Sequence, residues 1–143
     1  GLGCSFAVIG NDGLRHRFRQ AMAGIVPDVN VLGYTAAEAA YRDGWDWHQA
    51  LLEYLRQNRD LVFREIGGMP PLQTTLPEAT YLAWIDARGL EMENPTAFFE
   101  AAGVGLSDGR DFGAKGYVRL NFGCRRALLE DALARMRQAL KNR

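Results

Sequence analysis

A guanidinium, an amide and a phenol share one side of a short stretch near the end of this chain. Gly116-Tyr117-Val118-Arg119-Leu120-Asn121-Phe122-Gly123-Cys124 alternates with period two. Val118, Leu120 and Phe122 point one way on a strand, and Tyr117, Arg119 and Asn121 point the other. The first set is apolar enough to sit on a core. The second presents Arg119 flanked by two hydrogen-bonding side chains. Arginine grips carboxylates through two parallel hydrogen bonds, and a strand holds it rigidly. Arg119 is therefore a candidate anchor for a substrate carboxylate, with Asn121 beside it. An ordinary solvent-facing arginine on a half-exposed strand has the same spacing, and spacing alone does not separate the two.

Other residues offer less chemistry. Gly103, Gly105 and Gly109 miss the G-x-G-x-x-G spacing, and a strand rather than a helix follows them. No G-x-S-x-G, H-E-x-x-H or Walker loop occurs. The two lysines, Lys115 and Lys141, lie in polar surroundings, so neither reads as a desolvated, reactive amine. His16 and His48 stand alone, Glu78 and Asp86 bracket one strand without forming a pair, and Cys4 and Cys124 belong to no ligand cluster. That cysteine usage predicts no disulfide framework, no zinc site and a reduced, cytoplasmic setting. Lys+Arg and Asp+Glu both number 17 in 143 residues, so no global charge bias draws the chain to nucleic acid or membrane. The late basic residues, Arg125 to Arg143, read as the wet face of a terminal helix. No apolar run is long enough to span a bilayer.

Elements must carry the anchor. Ser5–Ile9 reads as a short strand, Leu14, Phe18 and Met22 as one helix face, and Pro27–Gly33 as a loop. Thr35 and Glu38 read as a capping box for an alanine-rich helix stopping at Gly44. With Asp46 as its cap, a longer helix carries Trp47, Ala50, Leu51, Tyr54, Leu55, Asn58, Leu61, Val62 and Ile66 on one face, through about six turns. Asn58 is its single polar interruption. Gly67-Gly68 and Pro70-Pro71 end it. Then come strands at Gln73–Thr75 and Tyr81–Asp86, a helix opened by Asn94-Pro95, and a strand at Val104–Leu106. A polar loop, Ser107–Lys115, the arginine strand and a helix from Arg126 to Lys141 follow. Short strands with helices on one face make an α+β layer.

Three stretches in this order carry a resemblance: Pro77-Glu78-Ala79-Thr80-Tyr81-Leu82-Ala83-Trp84-Ile85-Asp86; Ala102-Gly103-Val104-Gly105-Leu106-Ser107-Asp108-Gly109, running on to Phe112-Gly113; and the strand Gly116–Cys124. Together they resemble the C-terminal part of the MalY/PatB-type aminotransferase-like family, the cystathionine β-lyases and C–S lyases. These are fold type I enzymes that use pyridoxal 5′-phosphate. The resemblance implies an α/β protein of the PLP-dependent transferase type, present as a C-terminal fragment. Residues 1–45 would end the large cofactor-binding domain. Residues 46–143 would form the connecting helix and the small α+β domain.

By that resemblance Arg119 holds the α-carboxylate of an amino-acid substrate. Tyr81 and Trp84 would lie near the cleft, with packing against the domain core as their other role. Gly3 to Ser5 would approach the cofactor phosphate with backbone N–H groups, and Asn30–Tyr34 would be a loop near a homodimer interface. The resemblance also implies that the cofactor-bearing lysine lies upstream of Gly1; separately, the chain opens on an apolar run without methionine and reads as the back portion of a longer protein. Where this chain has Arg125 the family commonly has proline. The implied reaction is β-elimination of cysteine S-conjugates to thiol, pyruvate and ammonia, with transamination as the close alternative. This chain alone would be inactive. Two readings of other classes remain on the residues themselves: a non-catalytic amino-acid-binding or association module, and a basic-helix nucleic-acid binder.

Overall fold

The computed structural model describes residues 2–143, which divide into two compact units, one reaching to Gln49 and the other covering Ala50–Arg143. In the first unit residues 2–11 form no regular element. The strand expected at Ser5–Ile9 is absent, because a strand exists by pairing and no described segment pairs with it. Phe6 and Val8 stand exposed instead. Helix α1, Asp12–Met22, is capped by Asn11, whose Oδ1 accepts from the Leu14 N–H at 2.9 Å. It buries none of its residues. Helix α2, Val31–Asp43, starts a full turn before the expected capping box. Asn30 takes the cap position, its Oδ1 accepting from the Gly33 N–H at 2.9 Å. The Thr35 hydroxyl instead donates back to the Val31 carbonyl at 3.0 Å, inside the helix. The stretch read as a loop through Gly33 is therefore partly helical.

Helix α3, Trp45–Gly67, includes Asp46 in its first turn rather than as its cap. There the carboxylate still complements the helix dipole. Within the second unit α3 buries Asn58, Leu61, Val62 and Ile66. Strands β1 (Gln73–Thr74), β2 (Leu82–Asp86), β3 (Ser107–Asp108) and β4 (Tyr117–Asn121) form one antiparallel sheet in the order β1-β2-β4-β3. Helix α4, Pro95–Ala101, is capped by Asn94, which accepts from the Ala97 N–H at 3.1 Å. Helix α5 covers Arg126–Lys141.

One sheet face is the core face. Ala83, Ile85, Val118 and Leu120 are buried on it, in a cluster with Leu61, Val62 and Ile66 of α3, Phe99 of α4 and Leu129, Leu133 and Met136 of α5. Each such fully buried side chain is worth about 1.5–3 kcal/mol relative to exposure. The strand expected at Val104–Leu106 forms three residues later. Val104 is buried where the chain leaves α4, its N–H donating to the Phe99 carbonyl at 2.9 Å, and the ladder begins only at Ser107 opposite Arg119. Asn58 is fully buried and donates from Nδ2 to the carbonyls of Phe122 and Cys124, at 2.9 and 3.0 Å. The polar interruption of α3 is a clamp on the chain leaving β4.

Candidate functional site

The alternation of β4 is realised in space. Val118 and Leu120 are buried, whereas Tyr117 and Arg119 are half-buried and Asn121 is exposed. Arg119 sits between two strands: Trp84 of β2 is its partner on one side and Ser107 of β3 on the other. Its Nη2 donates to the Ser107 hydroxyl oxygen at 3.1 Å. Its Cζ lies 4.4 Å from the centre of the Phe112 ring, so one guanidinium face rests on an aromatic surface. Among the described residues no carboxylate pairs with it.

Aromatic rings continue from there in a ladder. Phe112 meets Trp84 edge to face at 5.8 Å, and Trp84 stacks on Tyr117 at 5.5 Å with the rings 12° apart. Arg88 closes the far end, its Cζ 4.9 Å from the Tyr117 ring centre. Beside this ladder a recess of about 220 Å³ is lined by Gln73, Thr74, Thr75, Trp84, Asp86 and Tyr117.

Two neighbouring arginines are neutralised locally. Asp86 accepts from the backbone N–H of Arg88 at 3.0 Å and pairs with its guanidinium at 2.7 Å. Asp108 accepts from the backbone N–H of Arg110 at 2.8 Å and pairs with its guanidinium at 2.7 Å. The Arg88 hydrogen bond outweighs the opposing effect of partial burial and holds the Asp86 carboxyl down to about 2. The hydrogen bond from Arg110 likewise lowers Asp108. Arg119, on the strand between β2 and β3, is held among the described residues by neutral groups, the Ser107 hydroxyl and the Phe112 ring.

Of the other sequence-predicted residues, Trp84 adjoins Arg119 through the ladder. Tyr81 does not. It is exposed and lines a different recess, of about 480 Å³, with Leu51, Tyr54, Leu55, Gly123, Cys124 and Arg125. Asn121 spends its Oδ1 on the Gly123 N–H, 2.8 Å away, closing the strand end. Sequence reasoning missed Phe112 and Ser107 as neighbours of the guanidinium. Their signal was weak: both lie in a polar, glycine-containing segment without periodicity.

No profile of a known protein family matches the chain. Individual proteins do. MalY of Escherichia coli is 32% identical over 145 residues, covering 96% of this chain and 37% of MalY. The crystal structure of OvoB superposes with a TM-score of 0.90 at 51% identity, covering 95% of this chain and 36% of that one. A putative PLP-dependent β-cystathionase from Corynebacterium diphtheriae superposes with a TM-score of 0.82 at 37% identity, covering 94% of this chain and 37% of that one. The chain is a C-terminal portion of a MalY/PatB-type protein of fold type I. It spans little more than a third of the length of the proteins it matches.

The cofactor of such MalY/PatB-type proteins can be tested against the residues at hand. Gly3 and Ser5 are exposed, and a Cβ placed on Gly3 would meet nothing within 4 Å. Lys115 and Lys141 are exposed and lie in the second unit. Among the described residues the backbone at Gly3 and Ser5 thus stands open, with no lysine in the same unit. Among the described residues no group of three or more His, Cys, Asp and Glu could hold a metal ion, and no helix is long and apolar enough to cross a membrane.

Proposed function

We propose that the full-length protein carrying this chain is a pyridoxal-phosphate-dependent carbon–sulfur lyase of the cystathionine β-lyase type. It cleaves cysteine S-conjugates to a thiol, pyruvate and ammonia, and Arg119 holds the α-carboxylate of the substrate. Kinship with cystathionine β-lyases and C–S lyases supports the reaction class. One observation supports the residue: a half-buried, strand-mounted guanidinium, supported on one face by Phe112 and at Nη2 by Ser107, with no carboxylate partner among the described residues. Its remaining N–H donors are available for a bidentate grip.

Held that way, Arg119 would fix the carboxylate and so the orientation of the bonds at Cα, which lowers the cost of reaching the reactive geometry. Trp84 and Tyr117 wall the same surface and would shield the ion pair from water, strengthening it. The chemistry at Cα and Cβ belongs to the cofactor and to residues outside this chain.

The test is turnover of L-cystathionine by the full-length protein, with thiol and pyruvate measured together. Release of both supports lysis. Consumption of a 2-oxo acid acceptor without thiol release would replace it with amino transfer.

A further inference from the structure

Phe112 has no place in a packing account of this fold. The residue is 51% exposed, and it does not belong to the buried core cluster. Yet the segment that carries it is built tightly. It occupies the short 3₁₀ helix Gly109–Phe112, capped by Asp108. Gly109 is buried so closely against its surroundings that a Cβ there would stand 2.3 Å from the Ala114 carbonyl oxygen and 2.6 Å from that of Tyr117. The Ala114 N–H donates to the Gly109 carbonyl at 2.8 Å, and Gly113 ends the turn with φ of 79°. The chain thus fixes the backbone of a residue whose ring is half in solvent. That ring lies against Arg119 on one side and the edge of Trp84 on the other.

A free arginine side chain samples many rotamers, and ordering it on binding costs free energy. A guanidinium already resting on an aromatic face, with one nitrogen held by a hydroxyl, has surrendered most of that freedom before a ligand arrives. We infer that Phe112 is a positioning residue for substrate-carboxylate binding: its ring covers one face of the Arg119 guanidinium while Ser107 holds Nη2, so the remaining N–H edge meets the carboxylate in one orientation. This rests on the reading of Arg119 as the carboxylate anchor. The Ser107–Phe112 segment therefore serves the substrate site, although it offers no titratable group to the reaction.

The experiment uses the full-length protein with F112L, F112Y, S107A and R119A. It measures KM and kcat for L-cystathionine, the dissociation constant of L-alanine by titration calorimetry, and thermal stability. Leucine keeps apolar bulk and removes the aromatic face. F112L should raise KM and the L-alanine dissociation constant about tenfold, with kcat and melting temperature little changed. F112Y keeps the face and should restore both constants to within about twofold of the parent. S107A should give a smaller rise in the same direction. A merely structural role would lower stability or kcat and would not be rescued by tyrosine alone. F112L with parental KM and parental L-alanine affinity overturns the inference, and a low kcat/KM for R119A beside it leaves the anchor standing. Parental kcat/KM in R119A removes the anchor and this inference together.

Discussion

Two corners of the sheet and its central strand treat arginine in opposite ways. At the corners after β2 and β3 the chain writes Asp-x-Arg, and each aspartate both accepts from the arginine's backbone N–H and pairs with its guanidinium. These charges are satisfied within three residues of chain and fasten turns. On β4 no carboxylate among the described residues pairs with Arg119. Arg119 reaches instead to a hydroxyl twelve positions back and to an aromatic ring. The contrast is what the proposed carboxylate anchor requires: Arg119 is ordered by neutral neighbours and has no carboxylate partner among the described residues.

Removing the unspent charge should have the largest effect. In the full-length protein Arg119→Ala should lower kcat/KM by about 30- to 3,000-fold, the loss expected when one partner of a shielded charge pair is truncated. Steady-state kinetics on L-cystathionine check it. Giving Arg119 a corner-type partner should come next. Ser107→Asp would place a carboxylate opposite the guanidinium and compete with substrate, lowering kcat/KM on the order of 10- to 100-fold while the fold persists in circular dichroism.

Loosening the end of β4 should act on stability. Asn58→Ala deletes two hydrogen bonds to the chain beyond the strand, but it also removes a buried Oδ1 that has no hydrogen-bond partner among the described residues. The net loss should be about 1–2 kcal/mol, read from denaturant unfolding. The smallest effect belongs to a corner. Asp86 is held down to about 2, so the stability it contributes is present above its unfolded value near 4 and is lost as pH falls from about 4 to about 2. Arg88 is mostly exposed, which keeps that contribution small. Asp86→Asn should flatten the acid limb of melting temperature against pH in that window.

The parts of the fold with strong periodicity were legible in the sequence. β4 alternates as its residues imply, and α5 forms over the expected Arg126–Lys141 and buries Leu129, Leu133 and Met136. Spacing failed where partners decide. The apolar stripe of α1 is real, but every one of its residues remains unburied, and of the described residues up to Gln49 only Gly33 is buried. Periodicity reports which side chains could meet a core, not whether one is there. The same limit explains Ser5–Ile9, whose apolar run has no pairing edge among the described residues.

At the candidate site the strand face that carries Arg119 was legible, and the residues around its guanidinium were not. Asn58 stood out as polar among apolar neighbours, but its partners lie 64 and 66 positions away. Phe112 sits in a polar turn where no period marks it, and only the sheet order brings it to Arg119. Tyr81 illustrates the reverse. It is one of the residues carrying the resemblance, yet its ring packs toward Gly123, and a Cβ on that glycine would stand 3.1 Å from it.

One comparison isolates the ligand group that Arg119 is proposed to hold. L-Alanine and ethylamine differ by the α-carboxylate alone. Their inhibition constants should be measured on the full-length protein and on Arg119→Ala. The substitution should weaken L-alanine by about 30-fold or more and leave ethylamine within about twofold. Equal weakening of both, or of neither, would contradict it.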